Sequence, residues 1–549
     1  MGIPSFYKHI IQTIAGVTTP TTQTPPEFFG LDLNCAIYYC VRKVQQKTPY
    51  TDAIKAKWEA DLITEVIAYI KQMTALVNPT QTLYIAVDGV APMAKIKQQR
   101  LRRFRSAVQA EEEARIRAEA KGIPYTQQPR WDTNAITPGT QFMKALSFAL
   151  RQFAKSHNTT TLNTVVSPAD EPGEGEQKIM EYIRAHTPKT AVIYGLDADL
   201  IVLSLWANAT LGTTLSLFRE EMEFNGSVKT DALGDEKFLY LLTDQLADAL
   251  YNKYQKSAAQ PKPEFLRDFV GLMSLLGNDF VPHGMVLKIK DDGIEALLRM
   301  YRDHLSTPFV QQTTTPQNHW QYNPETLTDL FQRVAATEEQ QILKSTSKKL
   351  NARPGMTASK EPEDQAMARY NDQPIGWGAE KVFAVQIQLE DRDKPSWILK
   401  DNWKQIYDEH ALLGADPQQA TKQYLNSLAW TLAYYSGAPV DLHWYYPWYL
   451  PPRIETVAEY LTTNPLFETP ATPRTPLKPE EQLAMVLPQT SFHLLPKEFQ
   501  ALPTLYPHAF PIQWTLFSLG RKILWECEPL IPLIQPTQIT QWIETMYDA

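Results

Sequence analysis

Cysteine is almost absent from this chain: Cys35, Cys40 and Cys527 are the only three in 549 residues. No CxxC pair and no His/Cys metal spacing accompanies them, so neither a zinc site nor a disulfide framework is indicated. A reducing interior is the simpler setting. Long apolar runs are missing too. None approaches the roughly 18 consecutive apolar residues of a membrane helix. Met1–His9 lacks the charged-then-apolar order of a secretory signal. Its Met-Gly start matches a weak myristoylation pattern, with less support than a buried N-terminal helix. These absences predict a soluble intracellular protein, cytoplasmic with the nucleus left open, and no membrane partner. An excess of positive charge is also lacking. The formal net charge is -8, so a nucleic-acid partner requires a local basic patch, which an acidic cluster can mask in the total. No internal repeat is present.

The chain is 43% hydrophobic with 13 Trp, a folded globular composition. Its length allows a large catalytic core plus a second region, since single cores stop growing at roughly 250–300 residues. Over residues 1–300, strand-like and helix-like segments alternate. Phe28–Leu33, Thr82–Val87 and Thr190–Leu196 are short apolar or β-branched runs, each leading into an Asp. Asp52–Val77 has apolar residues at helical spacing. The pattern predicts an α/β domain with a mostly parallel central sheet flanked by helices. Ligands of such sheets bind beyond the carboxyl ends of the strands, where Asp32, Asp88 and Asp197 would lie. The expected division is a nuclease region at 1–305, a linker with a flexible insertion at 306–379 (its least apolar part 345–375), and a second, α-rich region at 380–549 packed around the first. A helix is expected over Thr421–Tyr435. The segment with Pro465, Pro470, Pro473, Pro476 and Pro479 reads as a linker.

Seven carboxylates stand in short separate motifs: Asp32, Asp88, Glu174, Glu176, Asp197, Asp199 and Asp279. The bland reading of any one is a cap or a surface charge. For the set that reading weakens, because several end apolar strands. Gathered in one cleft they would raise one another's pKa. Divalent metal removes that conflict, and Mg²⁺ or Mn²⁺ takes hard oxygen ligands. Two such ions about 3.5–4 Å apart activate a water and stabilise the leaving oxygen of an in-line attack on phosphorus. The spacing of Asp197 and Asp199, if extended, would place both on one face.

Seven residues after Asp88 begins Lys95-Ile96-Lys97-Gln98-Gln99-Arg100-Leu101-Arg102-Arg103-Phe104-Arg105. Lys95, Gln99, Arg102 and Arg103 can share a helix face and grip phosphate. The rival readings are a solvated face balanced by Glu111-Glu112-Glu113, or a nuclear-localisation signal.

These residues also carry a family likeness. Asp88-Gly89-Val90-Ala91-Pro92, with Ala94-Lys95, Gln98-Gln99-Arg100 and Arg102-Arg103-Phe104-Arg105, closely resembles the signature of the XRN 5′→3′ exoribonucleases. So do Ile136–Thr140, Pro172–Glu176 with Lys178, Gly195–Ile201, and Gly277–Phe280 with Pro282-His283. Later matches are looser: Trp430 with Tyr434-Tyr435, Trp444–Pro447, Leu487-Pro488, His493–Pro496 and Trp525-Glu526. The resemblance implies a PIN/5′-nuclease-like fold. It implies the seven acids as catalytic metal ligands for Mg²⁺, two ions, with Mn²⁺ as substitute. It assigns Lys95, Gln99, Arg102 and Arg103 to a 5′-monophosphate pocket too small for a cap or triphosphate. It points to base stacking on Tyr38, where the family has histidine, and on Trp444, with Trp430 as alternative. Gln177 stands for another family histidine and Met93 for a basic residue. The chain looks like a minimal core, compatible with a compact viral version.

The expected function is a processive 5′→3′ exoribonuclease acting as a monomer on single-stranded RNA with a 5′-monophosphate and releasing mononucleotides. The alternatives are a flap-type 5′ nuclease acting on DNA and a non-catalytic RNA-end-binding scaffold.

Overall fold

A computed structural model describes residues 6–21, 24–127, 129–195, 197–221, 228–230, 236–289, 292–313, 319–388, 396–465 and 469–547. Met1–Ser5, Leu196 and part of the loop near 314–318 therefore lie outside the described residues. The first region is built on a seven-stranded sheet. Its strands are β1 Thr18–Thr19, β2 Phe28–Asp32, β3 Thr82–Ala86, β4 Asn163–Ser167, β5 Thr190–Tyr194, β6 Thr214–Glu220 and β7 Phe238–Leu242. Their spatial order is β1-β7-β6-β5-β2-β3-β4. The run from β6 through β5, β2 and β3 to β4 is parallel, and β7 and β1 close one edge antiparallel.

Side chains alternate across these strands as strand geometry requires. Phe28, Tyr84 and Ala86 enter one core, and Phe29, Leu31, Leu83 and Ile85 the other. The second core is covered by α2 Leu33–Lys47, α3 Lys55–Val77 and α5 Gln141–His157, after α1 Phe6–Thr13 has packed its Phe6 and Ile10 into the first. The first core is covered by α6 Gly175–His186, α7 Asp199–Leu211, α8 Thr243–Tyr254 and α9 Lys262–Ser274. From β2 the chain steps to β3 and β4 on one side and to β5 and β6 on the other. The carboxyl ends of β2 and β5 are therefore the switch point where a doubly wound sheet opens a crevice.

α4, Met93–Ala120, is 28 residues long and leaves this crevice lengthwise. Beyond α9 the chain is mainly helical: α10 Gly293–His304, α11 Pro324–Ala335, α12 Glu338–Leu350, α13 Pro362–Asn371, α14 Gln373–Trp377 and α15 Trp403–Ala411. It continues with α16 Pro417–Ser436, α17 Ile454–Thr463, α18 Pro479–Val486, α19 Leu502–Leu505 and α20 Pro536–Tyr547. The first core runs on without a break into α16 and α17, and a third core joins α18 and α20 to Met93 and Ile96 of α4. The second region is thus packed against the first.

Residues 306–379, expected as a linker, carry four of these helices. Leu327, Leu330, Phe331 and Val334 of α11 and Ile342 of α12 join the first core, Met367 and Tyr370 of α13 are buried, and Tyr370 donates a hydrogen bond to Glu112 of α4. The proline segment is non-helical from 469 to 478, as expected, and α18 begins at Pro479. No described helix is long and apolar enough to cross a membrane.

Candidate active site

Each acid reaches the crevice by its own local device. Asp32 ends β2 and is the N-cap of α2, yet its side chain makes no capping bond. Asp88 follows β3; its backbone N–H is held by the Asn34 side chain at 3.0 Å, and its Oδ1 accepts the N–H of Gly175 at 2.7 Å. Gly175 opens α6, and a Cβ there would stand 2.7 Å from Asp32 Oδ1 and 3.4 Å from Asp88 Oδ1. Only a residue without that atom leaves the space between the two carboxylates. Asp197 and Asp199 do not share a strand face. Ala198 is already helical and Asp199 starts α7, so a turn separates the pair. The extended register expected for them gives way because α7 begins within the motif. Asp279 follows α9 through Gly277, whose φ of +86° ends the helix. Asn278 Oδ1 then accepts the N–H groups of Phe280 and Val281, both at 2.9 Å, which fixes the turn.

The crowding has electrostatic consequences. Burial, reinforced by Asp88 and Asp197, pushes Asp32 well above the carboxylate range. Burial and then Asp199 do the same to Glu176. Burial, with Asp279 next, raises Asp199 to about 7. Asp279 behaves oppositely: burial opposes ionisation, but the ammonium of Lys95 wins and holds it at about 2. Lys95 Nζ lies 2.7 Å from Glu174 Oε2 and 2.8 Å from Asp279 Oδ2. Asp32 Oδ1, Glu176 Oε1 and Asp199 Oδ1 are buried with no hydrogen-bond partner among the described residues. Unsatisfied anionic oxygens at one place are costly, and a hard divalent cation is the group that such a donor set suits.

The cations of α4 divide by face. Lys95 turns into the acids; Gln99, 7% exposed, meets Gln482 of α18 at 3.5 Å; Arg103 donates to Thr137 Oγ1 at 2.6 Å. Arg102 is half-buried beside them. Burial, partly offset by Tyr38, lowers Arg103 to about 10, which leaves it cationic at neutral pH. Tyr38 itself is 36% exposed. The other cations are engaged elsewhere. Lys97 donates to the carbonyls of Tyr446 and Trp448, and Arg105 to those of Trp525 and Cys527. Arg100 donates to the carbonyls of Met485, Pro532 and Ala509. These three fasten the second region.

That region also reaches the acids. Tyr434 of α16 donates to Glu174 Oε1 at 2.9 Å. The buried Tyr435 hydroxyl has no hydrogen-bond partner among the described residues, and after burial the charges of Asp199 and Glu176 act on it most. Phe280 packs edge-on against Trp430, Tyr434 and Tyr435, locking the residue next to Asp279. Trp430 is 1% exposed and stacked on Tyr434, so no base can reach its face. Trp444 is half-buried, with its indole N–H on Ser427 Oγ at 3.2 Å. Met93, where a basic residue was expected, is buried in the third core, which explains an apolar side chain there. Gln177 is buried as well, and its Nε2 has no hydrogen-bond partner. Lys178 and Tyr434 lie in the motifs of the family likeness, and Asn34 beside Asp32, with no role expected of them. Lys178 Nζ ties the carbonyls of Val87 and Pro168 together beside Asp88. Cys35 and Gln482 carried no signal at all.

Comparison with known proteins bears on this geometry. Residues 1–221 match the family model for the XRN 5′-3′ exonuclease N-terminus, and residues 263–396 and 398–549 match that for the Xrn1 helical domain. The chain belongs to the XRN family. The XRN match thus covers six of the sheet's seven strands, all seven acids and the helical part with Tyr434. Among the XRN relatives, the 5′-3′ exoribonuclease 1 of Homo sapiens is 29% identical across 99% of this chain and 34% of its own length. The 5′-3′ exoribonuclease 2 homolog of Caenorhabditis elegans is 26% identical across 100% of this chain and 71% of its own. The 5′-3′ exoribonuclease 2 of Arabidopsis thaliana is 26% identical, across 98% and 67%. The chain spans about a third of the length of the human relative.

Proposed function

We propose that this protein is a metal-dependent, processive 5′→3′ exoribonuclease that takes single-stranded RNA with a 5′-monophosphate. The observation that carries the reading is the continuity of α4. Its Lys95 is ion-paired with Glu174 and Asp279, while Gln99, Arg102 and Arg103 continue along the same helix. A terminal phosphate bound there stands beside the acids.

Asp32, Asp88, Glu174, Glu176, Asp197, Asp199 and Asp279 would hold Mg²⁺, and Mn²⁺ suits the same oxygens. When bound, the ions supply Lewis acidity at the scissile phosphate and an activated water. The chain's own residues do the rest. Arg102 and Arg103 grip the 5′-phosphate with forked donors. Lys95 neutralises Glu174 and Asp279 and so keeps the approach of a second anion from being repelled. Tyr38 offers an exposed ring to the leading base, with Trp444 the candidate for the opposite face; such stacking contributes about 1–3 kcal/mol per base. Tyr434 and Tyr435 close the crevice from the helical side. Water attacks phosphorus and the 3′-oxygen of the first nucleotide leaves. A 5′-mononucleotide is released, and the shortened RNA again carries a 5′-phosphate, the end the pocket takes. That regeneration is the chemical basis for processivity.

The test is a time course on RNAs with 5′-monophosphate, 5′-triphosphate and 5′-hydroxyl ends, and on branched DNA, with and without EDTA. Rapid, EDTA-sensitive release of mononucleotides from the monophosphate end alone is expected. Equal turnover of all RNA ends would remove the pocket assignment, and preference for branched DNA would favour a flap-type nuclease.

A further inference from the structure

Cys35 stands among the acids. It is the third residue of α2, and Asp32 is that helix's N-cap. An N-cap residue and the residue three positions on face each other across the first turn, so the backbone alone brings the thiol beside the carboxylate. Asp32 spends nothing on capping; it is 5% exposed and its Oδ1 has no hydrogen-bond partner among the described residues. Asp197 arrives from the end of β5, the neighbouring strand. Cys35 Sγ, one oxygen of Asp32 and one of Asp197 all lie within 4.8 Å of one another. Cys40 and Cys527 are fully buried, and only Cys35 is half-exposed.

Sulfur changes which ions this corner accepts. Mg²⁺ prefers oxygen, whereas Zn²⁺ and Cd²⁺ take thiolate readily. Zinc binds sulfur at about 2.3 Å and carboxylate oxygen at about 2.0–2.2 Å, so a tetrahedral ion holds its ligand atoms roughly 3.5 Å apart. Side-chain rotations of about one ångström bring the three donors onto one ion, leaving a fourth position for water or a substrate oxygen. The Sγ–metal bond forms as the thiol proton passes to solvent, and a proton held by either carboxyl leaves with it. No oxidant or reductant takes part.

We propose that Cys35, Asp32 and Asp197 form a thiolate–carboxylate site for a soft divalent ion, Zn²⁺ or Cd²⁺, and that its occupancy inhibits cleavage. Inhibition follows because both carboxylates are withdrawn from the oxygen-ligated ions. The proposal rests on the metal-dependent nuclease reading and adds to it a competing ion class and a ligand outside the acid set.

The experiment titrates the full chain with CdCl₂, following the ultraviolet sulfur-to-cadmium charge-transfer band, and repeats the titration with Cys35→Ser. X-ray absorption at the zinc edge of the zinc-loaded protein counts sulfur neighbours independently. RNA cleavage in saturating Mg²⁺ is then measured against rising Cd²⁺. A band saturating at one ion per chain and lost in Cys35→Ser is expected, together with one sulfur neighbour on zinc. The Cd²⁺ concentration for half-inhibition should rise about tenfold or more in Cys35→Ser, as removal of a supporting group does at other metal sites. An undiminished band in Cys35→Ser would overturn the proposal. Should that variant fail to fold, as judged by circular dichroism, a zinc edge with only oxygen and nitrogen neighbours would overturn it. Mg²⁺-dependent cleavage without any sulfur–metal signal removes this inference alone, whereas cleavage indifferent to EDTA removes the metal dependence beneath it.

Discussion

Two faces of α4 carry the same residue types and meet opposite surroundings. Lys95, Gln99, Arg102 and Arg103 border the acids, while Lys97, Arg100 and Arg105 are covered by carbonyls of the second region. Charge content cannot tell these faces apart. The partner decides: a carboxylate keeps Lys95 charged, its pKa raised well above the ordinary value although burial opposes this, whereas burial under carbonyls lowers Lys97 to about 8 and Arg100 to about 9. In the proposed reading one face exchanges its ligand for a phosphate; the other is fastened.

The largest effect should come from the acids that the first face borders. Asp197→Asn with Asp199→Asn is expected to cut cleavage by about 10⁴-fold while RNA binding persists, read by single-turnover kinetics and filter binding. Unchanged cleavage would end the metal assignment. Next is Arg100→Ala on the fastened face. Three buried carbonyls lose a charged donor, so stability should fall by about 3 kcal/mol or more in urea denaturation, with the ratio of 5′-phosphate to 5′-hydroxyl turnover unaltered. Arg102→Ala should do the reverse: stability within about 0.5 kcal/mol of the parent, and the phosphate preference lowered about tenfold, or about 1.4 kcal/mol. If both variants moved both quantities, the faces would not be separate.

The smallest effect is a pH dependence. Lys97 drops from 10.5 to about 8 on folding because burial disfavours its charge. Between those values the unfolded chain binds more protons, so stability rises with pH from about 8 towards 10. Above 10 the buried tyrosines oppose the trend, since burial raises Tyr446 well above its ordinary value and it stays protonated in the fold. Lys97→Met should lessen the rise from 8 to 10, to which Lys178 and Arg100, lowered by burial to about 8 and about 9, also contribute, and Lys95→Met should not; thermal melts read both.

Much of the site was legible because its acids end apolar runs: Asp32, Asp88 and Asp197 follow β2, β3 and β5 as the hydrophobic pattern implied. The short apolar runs of a sheet covered on both faces were equally local. What escaped depends on remote partners. Arg100 pairs with carbonyls more than 380 residues away, and backbone acceptors leave no mark on residue type. The same holds for Tyr434 on Glu174, which an aromatic run does not announce. Trp430 and Trp444 look alike in sequence; only packing shows that one is sealed and the other half-buried. α13 escaped because two apolar anchors, Met367 and Tyr370, suffice for a helix that lies on the charged α4 and ion-pairs with it through Glu363.

Arg100 is received by three separate stretches, at Met485, Ala509 and Pro532. One guanidinium therefore staples three remote segments to the helix whose Lys95 meets Glu174 and Asp279. Whatever loosens any of those staples acts directly on a wall of the crevice.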